Sequence, residues 1–265
     1  MFACRRSPAR PEIIRRVNLH PATRGFETAG ERYERGRPDY PPSAIDWLVA
    51  GLGVGARPDA AVLDVGAGTG KLTRPLLERG LRVIAVEPVA GMRATLERTA
   101  PAADVRPGQA EELPAAAAEV DAVVAGQAFH WFANATALRE FARVLRPPGH
   151  LGLVWNRRDL EQPLQAAIGE MIAPYRTDAP AHAGDAWRAA FTGSAPFAPV
   201  AETRVAHAQT LDSDGLVDRV LSISFVSALP EIERASVEAR VRELAAGGPV
   251  ELRYMAEVAI YARRN

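Results

Sequence analysis

Residues 62–72 read Val62-Leu63-Asp64-Val65-Gly66-Ala67-Gly68-Thr69-Gly70-Lys71-Leu72: an apolar run, an acid, and three glycines at alternate positions before a helical pattern begins. Without Cβ atoms those glycines let the backbone turn sharply and pass close to a ligand, with the amides and dipole of the following helix facing it. A strand that feeds a helix through such a turn belongs to an α/β design. The surrounding sequence agrees: β-type runs at 60–65, 82–86, 120–125 and 150–155 alternate with helical patterns at 72–79, 91–99 and 135–145. This alternation predicts a parallel sheet covered on both faces. Arg146-Pro147-Pro148-Gly149 reads as a helix stop followed by a turn.

Past Asn156 the rhythm loosens. Helical pieces at 164–172 and 185–191, broken by Pro174, Pro180, Pro196 and Pro199, read as an insertion over the sheet spanning 157–200. A strand at 201–206, helices at 215–224 and 231–246 and a last strand at 250–262 follow, with Gly247, Gly248 and Pro249 marking the break before that strand. Residues 1–24 carry six arginines, one glutamate and three prolines without an apolar block, which reads as a disordered basic tail and not as a secretory signal.

Three ligand classes compete for the glycine turn. A P-loop requires glycine five positions before Gly70 and a hydroxyl after Lys71, but Val65 and Leu72 stand there. The dinucleotide fingerprint fits Gly66 and Gly68, places Lys71 where a third glycine belongs, and aims Asp64 at a pyrophosphate that it repels. The nicotinamide reading is weakened by this and stays open. D-x-G-x-G-x-G suits a ligand that joins a cationic amino group and a sulfonium to a carboxylate, which is S-adenosylmethionine. Glu87, 21 positions after Gly66 at the tip of the second strand, is placed to accept from ribose hydroxyls in either nucleoside class.

Composition removes other classes. With 32 basic and 32 acidic residues there is no chain-wide nucleic-acid footprint, and all the basic residues except Lys71 are arginine, which lowers the weight of any single one. No run reaches the ~18 apolar residues of a membrane span. The single cysteine, Cys4, allows neither an internal disulfide nor a cysteine-rich zinc site, in keeping with a reducing cytoplasm. The histidines lack metal spacing, and no G-x-S-x-G elbow supplies a hydrolytic nucleophile.

With VLDVGAGTGKLT, the downstream AVEP, YERGRPDYP before the core and GQAFHWF after the fourth strand, residues 25–156 resemble the class I S-adenosylmethionine-dependent methyltransferases. Within that class the pattern is similar to the type 11 group, which includes ubiquinone/menaquinone-type C-methyltransferases and trans-aconitate-type O-methyltransferases. The resemblance implies one Rossmann-like, doubly wound, mostly parallel sheet over 25–265, with an antiparallel last strand and with 157–200 as a helical insertion capping the substrate. It implies that Gly66, Gly68 and Gly70 line the methionine part of the cofactor, Asp64 meets its amino group, Glu87 and the adjoining Pro88 lie at the ribose, and Met92 lies against adenine. Gln109, Ala110 and Glu111 of the G-x-A-E-x-L-P-like loop would rim adenine, with glutamine where many relatives carry aspartate.

Gln127, after the fourth strand, faces the methyl-transfer region, and His130 and Trp131 are the leading active-site candidates, with Tyr33 a third catalytic candidate. A histidine can take a proton from an acceptor hydroxyl or position it, and an indole can stack on a planar acceptor. Tyr33 and Arg37, in a segment that folds over the cofactor in similar proteins, are placed near the cofactor carboxylate. The partner implied is a small-molecule methyl acceptor. Two other readings remain on sequence grounds: a nicotinamide-dependent oxidoreductase, and a non-catalytic S-adenosylmethionine-binding protein.

Overall fold

The computed structural model describes residues 30–55, 57, 59–176, 185–193 and 195–264. Seven strands form one sheet: β1 (Ala61–Val65), β2 (Arg82–Val86), β3 (Asp104–Arg106), β4 (Val120–Gly126), β5 (Leu145–Arg158), β6 (Phe197–Leu211) and β7 (Val250–Arg263). Their spatial order is β3-β2-β1-β4-β5-β7-β6. β1 to β5 pair in parallel, and β7 runs antiparallel to both β5 and β6. The expected Rossmann-like, mostly parallel sheet with an antiparallel last strand is therefore present.

Period-two alternation within the central strands splits the core into two layers. Leu63, Ile84, Val123 and Leu153 pack on one face, against α5 (Ala135–Val144) and the 3-10 segment Asp185–Phe191. Val62, Val83, Val124 and Val154 pack on the other, against α2 (Pro42–Leu52) and α3 (Thr73–Leu77). With both faces covered, β1 is buried at every position, and this is why its sequence reads as an unbroken apolar run apart from Asp64. A smaller core gathers α6 (Pro163–Ile172), α7 (Ser213–Leu221), α9 (Glu231–Leu244) and the first half of β7 around Leu216, Val220, Val241 and Leu252.

Several elements differ from the sequence expectations. α1 (Gly30–Gly36), α2 and the three-residue β3 were not anticipated. β5 begins at Leu145, not 150: Leu145 pairs with Val120 and His150 with Ala122, so Arg146 to Gly149 form a bulge within the strand where a chain-reversing turn was expected. Arg146 bridges to Asp121, the one β4 residue spanned by the bulge, at 3.1 Å. β6 extends over 197–211, well beyond 201–206, because one of its faces stays open to solvent and carries Glu202, Arg204 and similar residues that mask a strand signal. β5 and β6 take 157–158 and 197–200, so the segment between the strands is shorter than the expected insertion. The expected helix over 215–224 is α7, followed by a separate turn of helix, α8 (Ser224–Ser227). The basic tail, residues 1–24, lies outside the described residues.

Candidate active site

The chain order reverses between β1 and β4, and the loops leaving their carboxyl ends open a cleft there. Gly66, Gly68 and Gly70 all have left-handed φ, +69°, +59° and +93°. The three differ in what surrounds them. A Cβ on Gly66 would stand 2.8 Å from the Ala128 Cβ, and one on Gly70 2.8 Å from the Leu96 Cδ1, whereas a Cβ on Gly68 would meet nothing within 4 Å. Gly66 and Gly70 are therefore glycines for turn geometry and packing, and Gly68 presents bare backbone to open space. Gly66 and Gly68 line the cleft; Gly70 does not.

Asp64 and Glu87 sit beneath this loop. Asp64 is fully buried, its Oδ2 accepts from Thr73 Oγ1 at 2.7 Å, and its Oδ1 has no hydrogen-bond partner. Burial first, and the neighbouring Glu87 charge second, raise its pKa from 3.8 to about 7. Glu87 is 6% exposed, and its carboxylate accepts from the Gly68 and Val89 amides, each at 2.9 Å. The acid thus braces the glycine loop, a structural duty that the sequence reading did not foresee. Asp64 lines the cleft with one oxygen unsatisfied and Glu87, behind the lining, adds a second negative charge nearby, an arrangement suited to a cation.

α1 borders the cleft through Tyr33. Its end glycines allow close approach at both ends: a Cβ on Gly30 would stand 2.7 Å from Thr95 Oγ1 of α4 (Ala90–Thr99), and one on Gly36 2.4 Å from Asp218 backbone of α7. Glu34 accepts from Thr69 Oγ1 at 2.6 Å and bridges Arg74 at 2.8 Å, while Asp39 bridges Lys71 at 3.0 Å, so the segment is strapped to the glycine loop. This brings Tyr33, Arg37 and Tyr40 onto the cleft wall. The Arg37 guanidinium lies 4.9 Å over the Tyr33 ring and donates to Ser222 Oγ and O at 3.0 and 2.8 Å.

At the far side Gln127 follows β4 with φ +58°, an uncommon conformation for a residue with a side chain. Its Oε1 accepts from the Asn156 amide at 2.9 Å, tying together the ends of β4 and β5. Phe129 anchors the next 3-10 turn, Phe129–Trp131, in the core, with its ring edge-on to Phe132 and Trp187. His130 and Trp131, with ring centroids 5.2 Å apart, follow this anchor but do not line the cleft. Burial and the Arg37 charge lower the His130 pKa to about 4. The imidazole is neutral at physiological pH and a weak proton acceptor.

The structure gathers Asp64, Gly66, Gly68, Gln127, Tyr33 and Arg37 around one cleft of about 510 Å³, partly open to solvent. Other expected site residues stand apart from its lining. Pro88 and buried Met92 belong to the β2–α4 connection and α4. Gln109 and Glu112 form an isolated bridge, Ala110 is packed in the core, and Glu111 accepts from Asn134 Nδ2 at 2.8 Å at the start of α5. The cleft lining also holds residues that were not anticipated as site residues, Asn156 and Arg219 among them. Asn156 is the first polar residue after the buried β5 run, and Arg219 is the single charge on the buried face of α7. Both were legible as polar interruptions of apolar patterns. Of the described residues in 157–200, none lines the cleft; the 3-10 segment there instead seats Trp187 against Trp155, centroids 4.5 Å apart. Among the described residues no cluster could hold a metal ion, and no helix is long and apolar enough to cross a membrane.

An α/β sheet with a glycine loop, two acids and a cleft at its switch point defines a nucleoside-cofactor protein. Comparison with known proteins makes this specific. A family model described as a methyltransferase domain matches residues 63–153. An uncharacterized methyltransferase of Mycobacterium tuberculosis is 43% identical over 226 residues, 84% of this chain and 86% of the relative. An uncharacterized methyltransferase-like protein of Schizosaccharomyces pombe is 35% identical over 221 residues, 83% and 85% of the two chains. A solved structure described as a type II methyltransferase from Anaeromyxobacter dehalogenans superposes with a TM-score of 0.65 at 25% identity, covering 86% of this chain and 97% of that one. The chain belongs to the class I S-adenosylmethionine-dependent methyltransferases.

Proposed function

We propose that the cleft binds S-adenosylmethionine and that the enzyme transfers its methyl group to a small-molecule acceptor. The observation that carries this reading is the unsatisfied Oδ1 of buried Asp64 beside the open backbone of Gly68. A nucleotide diphosphate fits this pair poorly, since it would bring negative charge against two carboxylates. A ligand with an ammonium group satisfies the oxygen and offsets the charge. On this reading Asp64 holds the amino group, Gly66 and Gly68 hold the methionine part, and Glu87 reaches the ribose from its place under the loop. Arg37 lies near the carboxylate end, where a charge-assisted bond is available. Pro88, Met92, Gln109, Ala110 and Glu111 form the outer adenine end, and Gly70 keeps the turn.

The bound donor supplies an electrophilic methyl on a sulfonium. The chain aligns an acceptor nucleophile with it and excludes water, effects that contribute about 7–11 kcal/mol in well-oriented systems. On this reading Gln127 and Tyr33, which line the cleft, face the transfer region, and His130 and Trp131 stand behind the lining, just after Gln127. With a pKa near 4 and a place behind the cleft lining, His130 is poorly suited to removing an acceptor's proton. The test is incubation of the full chain with methyl-labelled donor and a cell extract separated into metabolite and macromolecule fractions. Label is expected in the metabolite fraction, and label confined to protein or nucleic acid would overturn the small-molecule assignment.

A further inference from the structure

Three arginines gather beside the cleft: Arg37 and Arg219 line it, and Arg158 stands next to them behind the lining. Arg158 closes β5 directly opposite Tyr254 of β7, and His207 of β6 is paired with Tyr254 on its other side, so these side chains share one face of the sheet. Arg219 comes from α7 above that face, is 6% exposed, and donates from Nε to the Tyr254 hydroxyl at 2.8 Å. Arg37 reaches the same region through Ser222, immediately after α7. The three feel one another: Arg37 and Arg158 are each pushed down to about 10, by burial first and by the Arg219 charge next.

No acid answers these charges among the described residues. Nη1 of Arg158 is buried without a hydrogen-bond partner. The nearby carboxylates are engaged elsewhere: Asp218 with Arg32 and Arg35, Asp159 with Arg253, and Glu257 with Arg157 and Arg204. Burying like charges without a counter-ion is costly, and a guanidinium fork matches a planar oxyanion. Arg219 lines the same cleft as Asp64 and Gly68, so an anion held by it shares a chamber with the donor.

We propose that Arg158 and Arg219 bind an oxyanion of the acceptor, making the acceptor a small molecule that carries a carboxylate or a phosphate. This inference rests on the methyltransferase reading. The test is calorimetric titration of the full chain, saturated with S-adenosylhomocysteine, with citrate, succinate, inorganic phosphate and the neutral control succinamide. At least one anion is expected to bind where succinamide does not, the carboxylate and phosphate arms telling which oxyanion fits. R158Q and R219Q are expected to weaken that anion at least tenfold while changing S-adenosylhomocysteine affinity less than twofold, and R219K is expected to retain part of the binding. Because Arg219 also anchors Tyr254, R158Q is the variant that decides if R219Q fails to fold. Three results would overturn the proposal: no anion bound above the neutral control, anion binding unchanged in R158Q, or S-adenosylhomocysteine affinity falling as steeply as anion affinity, which would assign the arginines to the cofactor's own carboxylate. Failure of wild-type chain to bind S-adenosylhomocysteine would instead sink the methyltransferase reading, and the anion titration is then read on the free chain.

Discussion

Replacing Asp64 with Asn removes the charge from the pocket floor while keeping the shape and an acceptor for Thr73. In the folded chain the carboxyl keeps its proton up to about pH 7, but in the unfolded chain it ionises near 3.8. Between those values the unfolded state has lost a proton that the folded state retains, so wild-type stability falls as pH rises and levels off above about 7. The full difference is worth roughly 4 kcal/mol, and the accessible part, from pH 5 to 7, about 2–3 kcal/mol. For a domain of this size that is a melting shift on the order of 5–10 °C. Thermal melts of ligand-free wild type and D64N at pH 5, 6, 7 and 8 are expected to diverge by that amount, with D64N the more stable partner above pH 6. Binding should show the complementary sign. A cationic amino group needs Asp64 ionised, so S-adenosylhomocysteine affinity should rise about tenfold per pH unit below 7 and then flatten, a rise that D64N lacks. A melting gap independent of pH would refute the idea that this carboxyl is buried without a counter-charge.

Other substitutions separate structural from ligand-facing roles. Gly66→Ala drives a methyl to within 2.8 Å of Ala128 Cβ, whereas Gly68→Ala adds one to open space, at a left-handed strain common to both. Denaturant melts should show G66A the less stable, with G68A losing about 1–2 kcal/mol, and calorimetry should show G68A binding cofactor more weakly than its stability loss explains. Because His130 is neutral above about pH 4, its protonation should leave no limb in the pH–rate profile between 5 and 8, and H130A should lower activity at all pH values alike; a limb near 6.5 that H130A removes would make it a general base. Asn134 caps α5 by accepting from the Thr136 and Ala137 amides, both at 3.0 Å, so Asn134→Ala should cost about 1 kcal/mol in urea unfolding with cofactor affinity kept.

The central half of the fold was legible because its signals are local. Leu63, Val83, Val123 and Leu153 sit in short apolar runs bounded by glycine or acid, and a doubly covered parallel strand produces that pattern. The same holds for Asp64 and the glycines, whose spacing constrains a single turn. What escaped depends on distant packing. α1 is held by Gly30 against α4 and Gly36 against α7, contacts invisible to periodicity. β6 gains its length from pairing with β7 along 197–211, while its open face carries polar residues that look like loop. Glu87 was legible as an acid at a strand tip, but its hydrogen bonds to the Gly68 and Val89 amides appear only once the loop is folded. Arg219 was one arginine among many, and its meaning comes from having, among the described residues, no acid paired with it in space.

What the switch-point cleft binds decides the chemistry of this chain. Calorimetric titration of the full chain with S-adenosylhomocysteine and with NADH, side by side and repeated with D64A, tests it most directly. One-to-one binding of S-adenosylhomocysteine, lost in D64A, with no heat from NADH is the expected result. Saturable NADH binding without any for S-adenosylhomocysteine would contradict it.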